Sequence, residues 1–124
     1  MMLQQPEPED FVIATGEQHS VREFVERTGA ALGMNIRWRG EGVQEEGLDT
    51  RSGRVLIKID PRYFRPTEVE TLLGDASKAR ARLGWEPEVG FDELVKEMVA
   101  ADLELARRDA VIVREGFKAY RYCE

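Results

Sequence analysis

A stretch near the start of the chain predicts a strand, a helix and a second strand in succession. Residues 11–16 (Phe-Val-Ile-Ala-Thr-Gly) are an apolar run closed by glycine, which is typical of a buried strand. Ser20 and Glu23 have the spacing of a capping box, and the apolar spacing that follows predicts a helix ending at Gly33. Residues 35–40 alternate apolar and polar, as a half-buried strand does. We therefore expect two parallel strands joined by a right-handed crossover.

The later elements are predicted from the same kinds of pattern. They are a loop over residues 40–53, a third strand over 54–60, a short helix capped by Asp75 and ended by Gly84, and a long helix from about Asp92 to Arg108. The tail from Ala110 onward has no clear period. The predicted fold class is α/β, in the form of a small mixed α+β lobe: a strand–helix–strand unit, a third strand and two or three further helices.

Composition limits the class of protein. With 124 residues, 42% of them hydrophobic and 34% charged, the chain is expected to be a single globular domain with a modest core. The net charge of −6 lacks the concentrated positive charge that nucleic-acid binding needs. A single cysteine, no apolar run long enough to span a membrane and no signal-peptide pattern at residues 1–5 predict a cytoplasmic location.

The segment around residues 61–68 has the features of an anion site. Pro61 and Pro66 stiffen the backbone on both sides of two arginines, and Arg65 would stand where a helix begins near Thr67. A guanidinium can bind a diphosphate in a fork geometry, and the helix N-terminus favours phosphate. Glu68 can accept hydrogen bonds from vicinal hydroxyls. From the residues alone, the favoured explanation is an ordinary Arg–Glu pair on a helix surface.

This segment also carries a resemblance to a known family. The matching residues are Asp60–Pro66, Glu68–Glu70, Leu73–Ala79 and Leu83–Pro87. The run resembles the C-terminal part of GDP-mannose 4,6-dehydratase, an extended short-chain dehydrogenase/reductase that uses NADP. That enzyme is a lyase that converts GDP-mannose to GDP-4-keto-6-deoxymannose in GDP-fucose and deoxyhexose biosynthesis. The resemblance implies that Arg65 binds the diphosphate of GDP-mannose or a related nucleotide-sugar and that Glu68 binds the ribose.

The residues that the complete reaction needs are not found in the sequence. Gly16 is a single glycine where a Rossmann turn needs several. The family's Tyr-x-x-x-Lys pair has no match, since Thr67 stands four positions after Tyr63 and Glu124 stands four after Tyr120. We expect the chain alone to be inactive, with no catalytic, cofactor-binding or metal-binding residues, and NADP to belong to the full-length family.

Other residues with reactive or stacking side chains have plainer explanations. His19 is the only histidine, so a metal cluster or a catalytic triad has little support, and we expect a solvated or capping role. Cys123 is interpreted as an idle thiol in the tail. Trp38 and Trp85 are expected to pack in the core rather than to stack on a base or sugar.

The resemblance runs from Met1 to about Gly116 and sets the expected domain organisation. It implies a single substrate-binding lobe over residues 1–124, with 1–10 the remnant of a preceding helix, 117–124 a tail, and the Rossmann NADP domain absent. The chain would thus be a fragment of the enzyme. The alternative is a free-standing interaction or nucleotide-sugar-binding module derived from that lobe.

A lobe without its usual neighbour is expected to expose apolar surface. The candidates are Met1, Met2, Leu3, Phe11 and Phe64. Because such a surface is rarely left open to water, we expect self-association, with a two-fold homodimer the simplest form.

Overall fold

The computed structural model describes residues 1–65 and 72–120. This part of the chain contains a 3-10 helix over Met2–Gln4, helix α1 over Val21–Ala31, strand β1 over Ile36–Arg39, a 3-10 helix over Gly42–Gln44, strands β2 over Glu46–Asp49 and β3 over Val55–Lys58, and helices α2 over Ser77–Leu83 and α3 over Phe91–Arg114. The fold is a small lobe of mixed α and β structure, as the sequence predicted.

The three described strands form one antiparallel sheet in the order β1-β2-β3. The expected parallel crossover from residues 11–16 to β1 is wrong, because residues 11–16 belong to no strand. A short connection over residues 40–45 turns the chain back on itself, and short connections join antiparallel neighbours. Within the predicted loop 40–53 lies β2, where Gly47 stands between Trp38 and Ile57. A Cβ atom on Gly47 would lie 3.1 to 3.2 Å from the side chains of Trp38 and Ile57. A glycine at this position therefore leaves room for both side chains to pack against the strand.

The predicted first strand is also wrong, because residues 11–16 belong to no helix or strand. The run lies beside α2, where the Lys78 ammonium is 4.9 Å from the centre of the Phe11 ring. Val12 and Ile13 remain 53% and 46% exposed. A strand exists only through hydrogen bonds to a neighbour, and no described strand pairs with this run.

The start and end of α1 are confirmed. The Ser20 hydroxyl oxygen accepts a hydrogen bond from the N–H of Glu23 at 3.0 Å. After the last turn, Gly33 adopts a φ of +73°, a conformation that glycine reaches without strain. The second half of the capping box differs from expectation, because the Glu23 carboxylate binds His19 and Arg27.

The short helix is shifted by one residue from its predicted cap. Ala76 is the N-cap, and the Asp75 carboxylate accepts a hydrogen bond from the N–H of Ser77, the first helical residue, at 2.8 Å. Gly84 ends the helix in the left-handed conformation, as predicted.

The long helix α3 continues past its predicted end at Arg108 and stops at Arg114. The segment after Arg108 contains no glycine or proline before Gly116, so nothing interrupts the helical hydrogen bonds. Gly116 has a φ of +84° and closes the helix. Within the described ranges, no helix combines the length and the apolar character needed to cross a bilayer.

The buried apolar core of the described residues is small, consisting of Ala76, Ala79 and Val95. Helix α1 packs against α3 and β1, where Gly29 leaves room for Ile36: a Cβ on Gly29 would lie 2.7 Å from Ile36 Cγ1. Many large apolar side chains are exposed. Of those expected to be, Met1, Met2, Leu3 and Phe64 are exposed, whereas Phe11 is half-buried.

Candidate functional site

Strand β3 leads into a turn over Asp60–Tyr63 that precedes the predicted anion site. The N–H of Tyr63 donates to the Asp60 carbonyl at 3.0 Å, which closes the turn. Asp60 and Pro61 occupy the two positions that type I turns favour for these residues. The Asp60 side chain adds a second closure, since its Oδ1 accepts from the N–H of Arg62 at 2.9 Å. Sequence and hydrogen bonds thus agree on a well-defined turn.

The first arginine of the segment is held within this turn. Arg62 Nε lies 3.0 Å and Nη2 2.5 Å from Asp60 Oδ2, and the guanidinium lies over the Tyr63 ring at 5.4 Å from its centre. The hydrogen bond lowers the pKa of Asp60 and raises the pKa of Arg62. Because both side chains are well exposed, the pair adds little to stability. The pair occupies the Arg62 guanidinium with the neighbouring Asp60 carboxylate.

The second arginine, Arg65, is in a different situation. It follows the turn, it is exposed, and no hydrogen bond or ion pair joins it to another residue of 1–65 or 72–120. Its five N–H donors are therefore available to a ligand. The exposed rings of Tyr63 and Phe64 lie next to it in the chain, and sequence reasoning gave them no role in the site.

The other half of the predicted site cannot be placed. Pro66, Glu68 and the helix expected from Thr67 fall in 66–71, outside the described residues. Of the predicted site, the structure describes only the Asp60–Tyr63 turn and Arg65. The pairing of Arg65 with Glu68 on one ligand stays a prediction.

His19 lies outside this site and has a different role from the one predicted. Its ring stacks on Phe91 with centroids 3.8 Å apart and planes 6° apart, and its side chain is only 25% exposed. Nδ1 lies 3.0 Å from the Glu23 carboxylate and Nε2 lies 3.4 Å from that of Glu17. The hydrogen bond to the Glu23 carboxylate raises the pKa of His19, and the hydrogen bond to Glu17 raises it by a smaller amount. The ring is therefore a largely shielded contact between α1 and α3, not a solvated group.

The remaining single residues contribute no chemistry to the site. Trp38 is half-buried: Arg22 lies 4.7 Å over its ring, and its indole N–H donates to Glu26 at 2.7 Å. Trp85 is half-buried as well. Cys123 lies outside the described residues.

Comparison with known proteins identifies the family. Residues 1–98 match the family model described as GDP-mannose 4,6 dehydratase. A GDP-mannose 4,6-dehydratase of Vibrio cholerae is 51% identical over 94% of this chain, one of Dictyostelium discoideum 57% over 84%, and one of Homo sapiens 55% over 86%. The chain spans about a third of the length of these relatives: 34%, 29% and 29% respectively. Its match is to a C-terminal part of each. The chain belongs to the GDP-mannose 4,6-dehydratase family.

Proposed function

We propose that this chain is the nucleotide-sugar-binding part of a GDP-mannose 4,6-dehydratase, with Arg65 binding the diphosphate of GDP-mannose and Glu68 the ribose. The observation that carries the proposal is the contrast between two neighbouring arginines. Arg62 is engaged by Asp60, whereas Arg65 is exposed and unpaired among the described residues. An unpaired guanidinium just after a stiff turn is suited to hold a doubly charged diphosphate.

The turn explains how Arg65 is positioned. Two hydrogen bonds to Asp60 close the Asp60–Tyr63 turn, so the backbone that delivers Arg65 is restrained at the end of β3. Restraint lowers the entropy cost of ordering the side chain on a ligand. A planar fork then makes two parallel, charge-assisted hydrogen bonds to phosphate oxygens.

The described residues do not fit a dinucleotide cofactor. A Rossmann site needs parallel strands and a glycine-rich turn opening a helix, but β1 to β3 are antiparallel, and the segment before α1 has only Gly16. We therefore assign NADP, the hydride-accepting site and the acid–base groups to the two thirds of the family's length outside these residues. Purified chain mixed with NADP and GDP-mannose should give no 4-keto product.

Two further properties belong to the proposal, and one alternative is set aside. The chain is placed in the cytoplasm, because a single cysteine suits a reducing compartment. Alone, it self-associates through its exposed apolar side chains, most simply as a homodimer. The alternative of a free-standing interaction module is not favoured, since the chain matches one third of a larger enzyme family.

Titration calorimetry with GDP-mannose and with GDP tests the site. The measurements use the chain itself and a chimera in which it replaces the matched part of the Vibrio cholerae relative. Arg65→Ala should weaken binding of both ligands by roughly 10- to 100-fold, the worth of one charged hydrogen-bonding group. Arg65→Lys should restore only part of the loss, because an ammonium cannot make the fork.

Arg62→Ala is the matched control, three residues away and engaged by Asp60, and it should leave affinity nearly unchanged. Equal effects of Arg62→Ala and Arg65→Ala would point to general charge attraction instead of a site. Unchanged affinity in Arg65→Ala would remove the assignment.

A further inference from the structure

Helix α3 has two faces with different surroundings. One face packs against α1: Phe91 contacts the rings of His19 and Phe24, and Val95, one turn further along, is buried. A second face lies largely in water although most of its side chains are apolar. Its members are spaced alternately four and three residues apart, and they are Leu94, Met98, Ala101, Leu105, Arg108 and Ile112. We call these six residues the Leu94–Ile112 stripe.

The spacing places the six side chains on one side of the helix. At 3.6 residues per turn they fall within an arc of about 80°, and apolar residues that repeat every 3.5 residues form the seam between paired helices. Leu94, Met98 and Leu105 are 38% to 46% exposed. A groove of about 480 Å³ lies over Ala101 and Leu105, in the middle of the stripe. An apolar seam of this length, open to water, is typical of an interaction surface.

The order of residues along the stripe fits a second copy of the same helix that runs in the opposite direction. The six positions are symmetric about residue 103, so a two-fold axis there places each member opposite another member of the stripe. The facing pairs are Leu94 with Ile112, Met98 with Arg108, and Ala101 with Leu105. In the central pair a small side chain faces a large one, which lets the two helices interdigitate.

The distribution of charge along α3 also favours the antiparallel direction. Residues 91–102 carry four carboxylates and one lysine, whereas residues 103–114 carry three arginines and two carboxylates. An antiparallel pair sets the acidic half of each helix against the basic half of the other, and it opposes the two helix dipoles. A parallel pair would instead bring the two acidic halves together.

We infer that the Leu94–Ile112 stripe is an interface between two copies of this chain, which pair through α3 in antiparallel direction about a two-fold axis at residue 103. The aliphatic stem of Arg108 packs on Met98 of the second copy, and its guanidinium binds the Glu97 carboxylate beside that methionine. The inference rests on the proposed self-association of the chain and names the surface that carries it.

Light scattering across a dilution series gives the dissociation constant of the dimer. Leu105→Asp should weaken the dimer at least about 100-fold, because it places two uncompensated carboxylates in the middle of an apolar seam. Val113→Asp is the matched control: Val113 is exposed on the same helix, about 100° around the axis from the centre of the stripe, and its substitution should change the constant less than about 3-fold. Circular dichroism checks that both variants keep the helix content of the wild type.

The outcomes separate this interface from the other proposals. A wild-type chain that stays monomeric would overturn the self-association and the interface together. A dimer that tolerates Leu105→Asp would overturn the interface alone. Arg65→Ala should leave the dissociation constant unchanged, because Arg65 belongs to the ligand site and not to the stripe.

Charge reversal tests the register with exposed residues, whose substitution leaves the core intact. Glu97→Arg and Arg108→Glu should each weaken the dimer roughly 3- to 10-fold, and the double variant should restore it. Within one helix the two residues are about 16 Å apart along the axis, so only a contact between copies explains such a rescue. Losses that add in the double variant would overturn the inference.

Disulfide cross-linking tests the direction of pairing in a Cys123→Ser background, which removes the one native thiol. Leu94→Cys mixed with Ile112→Cys under mild oxidation should give a covalent dimer, because the antiparallel pair sets these positions opposite each other. Leu94→Cys alone should not, since its two copies lie about 27 Å apart along the axis. A covalent dimer of Leu94→Cys alone, or no cross-link in the mixture, would overturn the inference.

Discussion

Asp49 is the only charged side chain that is buried among residues 1–65 and 72–120. The Ser52 hydroxyl donates to its carboxylate at 2.7 Å, and the N–H groups of Ser52, Arg51 and Asn35 donate at 3.0 to 3.4 Å. These bonds, the Ser52 hydroxyl first, lower the pKa of Asp49 from 3.8 to about 2. One side chain thus joins the β2–β3 turn to the residue that precedes β1.

We predict that Asp49→Ala lowers the melting temperature at pH 7 by roughly 5 °C or more. A carboxylate with a lowered pKa stabilises the fold above its unfolded pKa, and the contribution is lost as pH falls through the folded value. The difference between wild type and variant should therefore shrink between pH 4 and pH 2. Thermal melts across this range measure it, with exposed Asp102→Ala as control; a gap independent of pH would contradict the assignment.

Two glycines with positive φ should differ sharply in their tolerance of alanine. Gly40 has a φ of +86°, and a Cβ there would lie 2.3 Å from the Gln44 carbonyl oxygen. Gly53 has a φ of +67° and nothing within 4 Å of such a Cβ. Gly53→Ala should cost about 1 to 2 kcal/mol, the strain of the left-handed conformation alone. Gly40→Ala should cost more than about 3 kcal/mol, and equal losses in urea unfolding would show that the clash relaxes freely.

At the scale of elements, the amino ends of α1 and α3 meet through a cluster of charged and aromatic side chains. Phe91 at the start of α3 contacts both the His19 ring and Phe24 of α1. Arg27 of α1 binds Asp92 of α3. The histidine is the one member of this cluster that titrates near neutral pH.

We predict that the histidine signal titrates above its ordinary value of 6.5 and that Glu23→Gln lowers the midpoint more than Glu17→Gln. A raised pKa means that the stabilisation is fully present below about 6.5 and is lost as pH rises through the folded value. The stability gap between wild type and His19→Gln should thus be larger at pH 5.5 than at pH 8.5. NMR resolves the titration directly, because the chain has one histidine. A midpoint at or below 6.5 would contradict the Glu23 hydrogen bond.

At the scale of the whole molecule, a buried core of three apolar side chains among the described residues is small for 124 residues. In the isolated chain, we predict self-association that covers part of the exposed apolar surface. Light scattering across a dilution series should show the mass rise from 14.2 kDa towards about 28 kDa, twice that value. A constant monomer mass at high concentration would contradict the prediction.

Several local features were predictable because their cause lies within a few residues. Ser20 at the cap of α1 acts through a short-range hydrogen bond, and Gly33 and Gly84 after the helix ends act through their φ preferences. The Asp60–Pro61 turn belongs to the same class. The sequence predicted that the arginine at position 65 could bind an anion. That Asp60 binds the guanidinium of Arg62 is seen only in the three-dimensional structure.

Residue patterns were sufficient to predict the cap and end of α1, the family and Arg65 as a candidate ligand group. Tertiary structure decided which segments are strands. In the sequence, Gly47 is typical of a loop, but in the structure it lies in β2 with the side chains of Trp38 and Ile57 packed against it. Residues 11–16 have the sequence pattern of a strand, yet no described strand pairs with them. The physical reason is that helix caps and turns satisfy their hydrogen bonds locally, whereas a strand depends on a neighbour that can be distant in sequence.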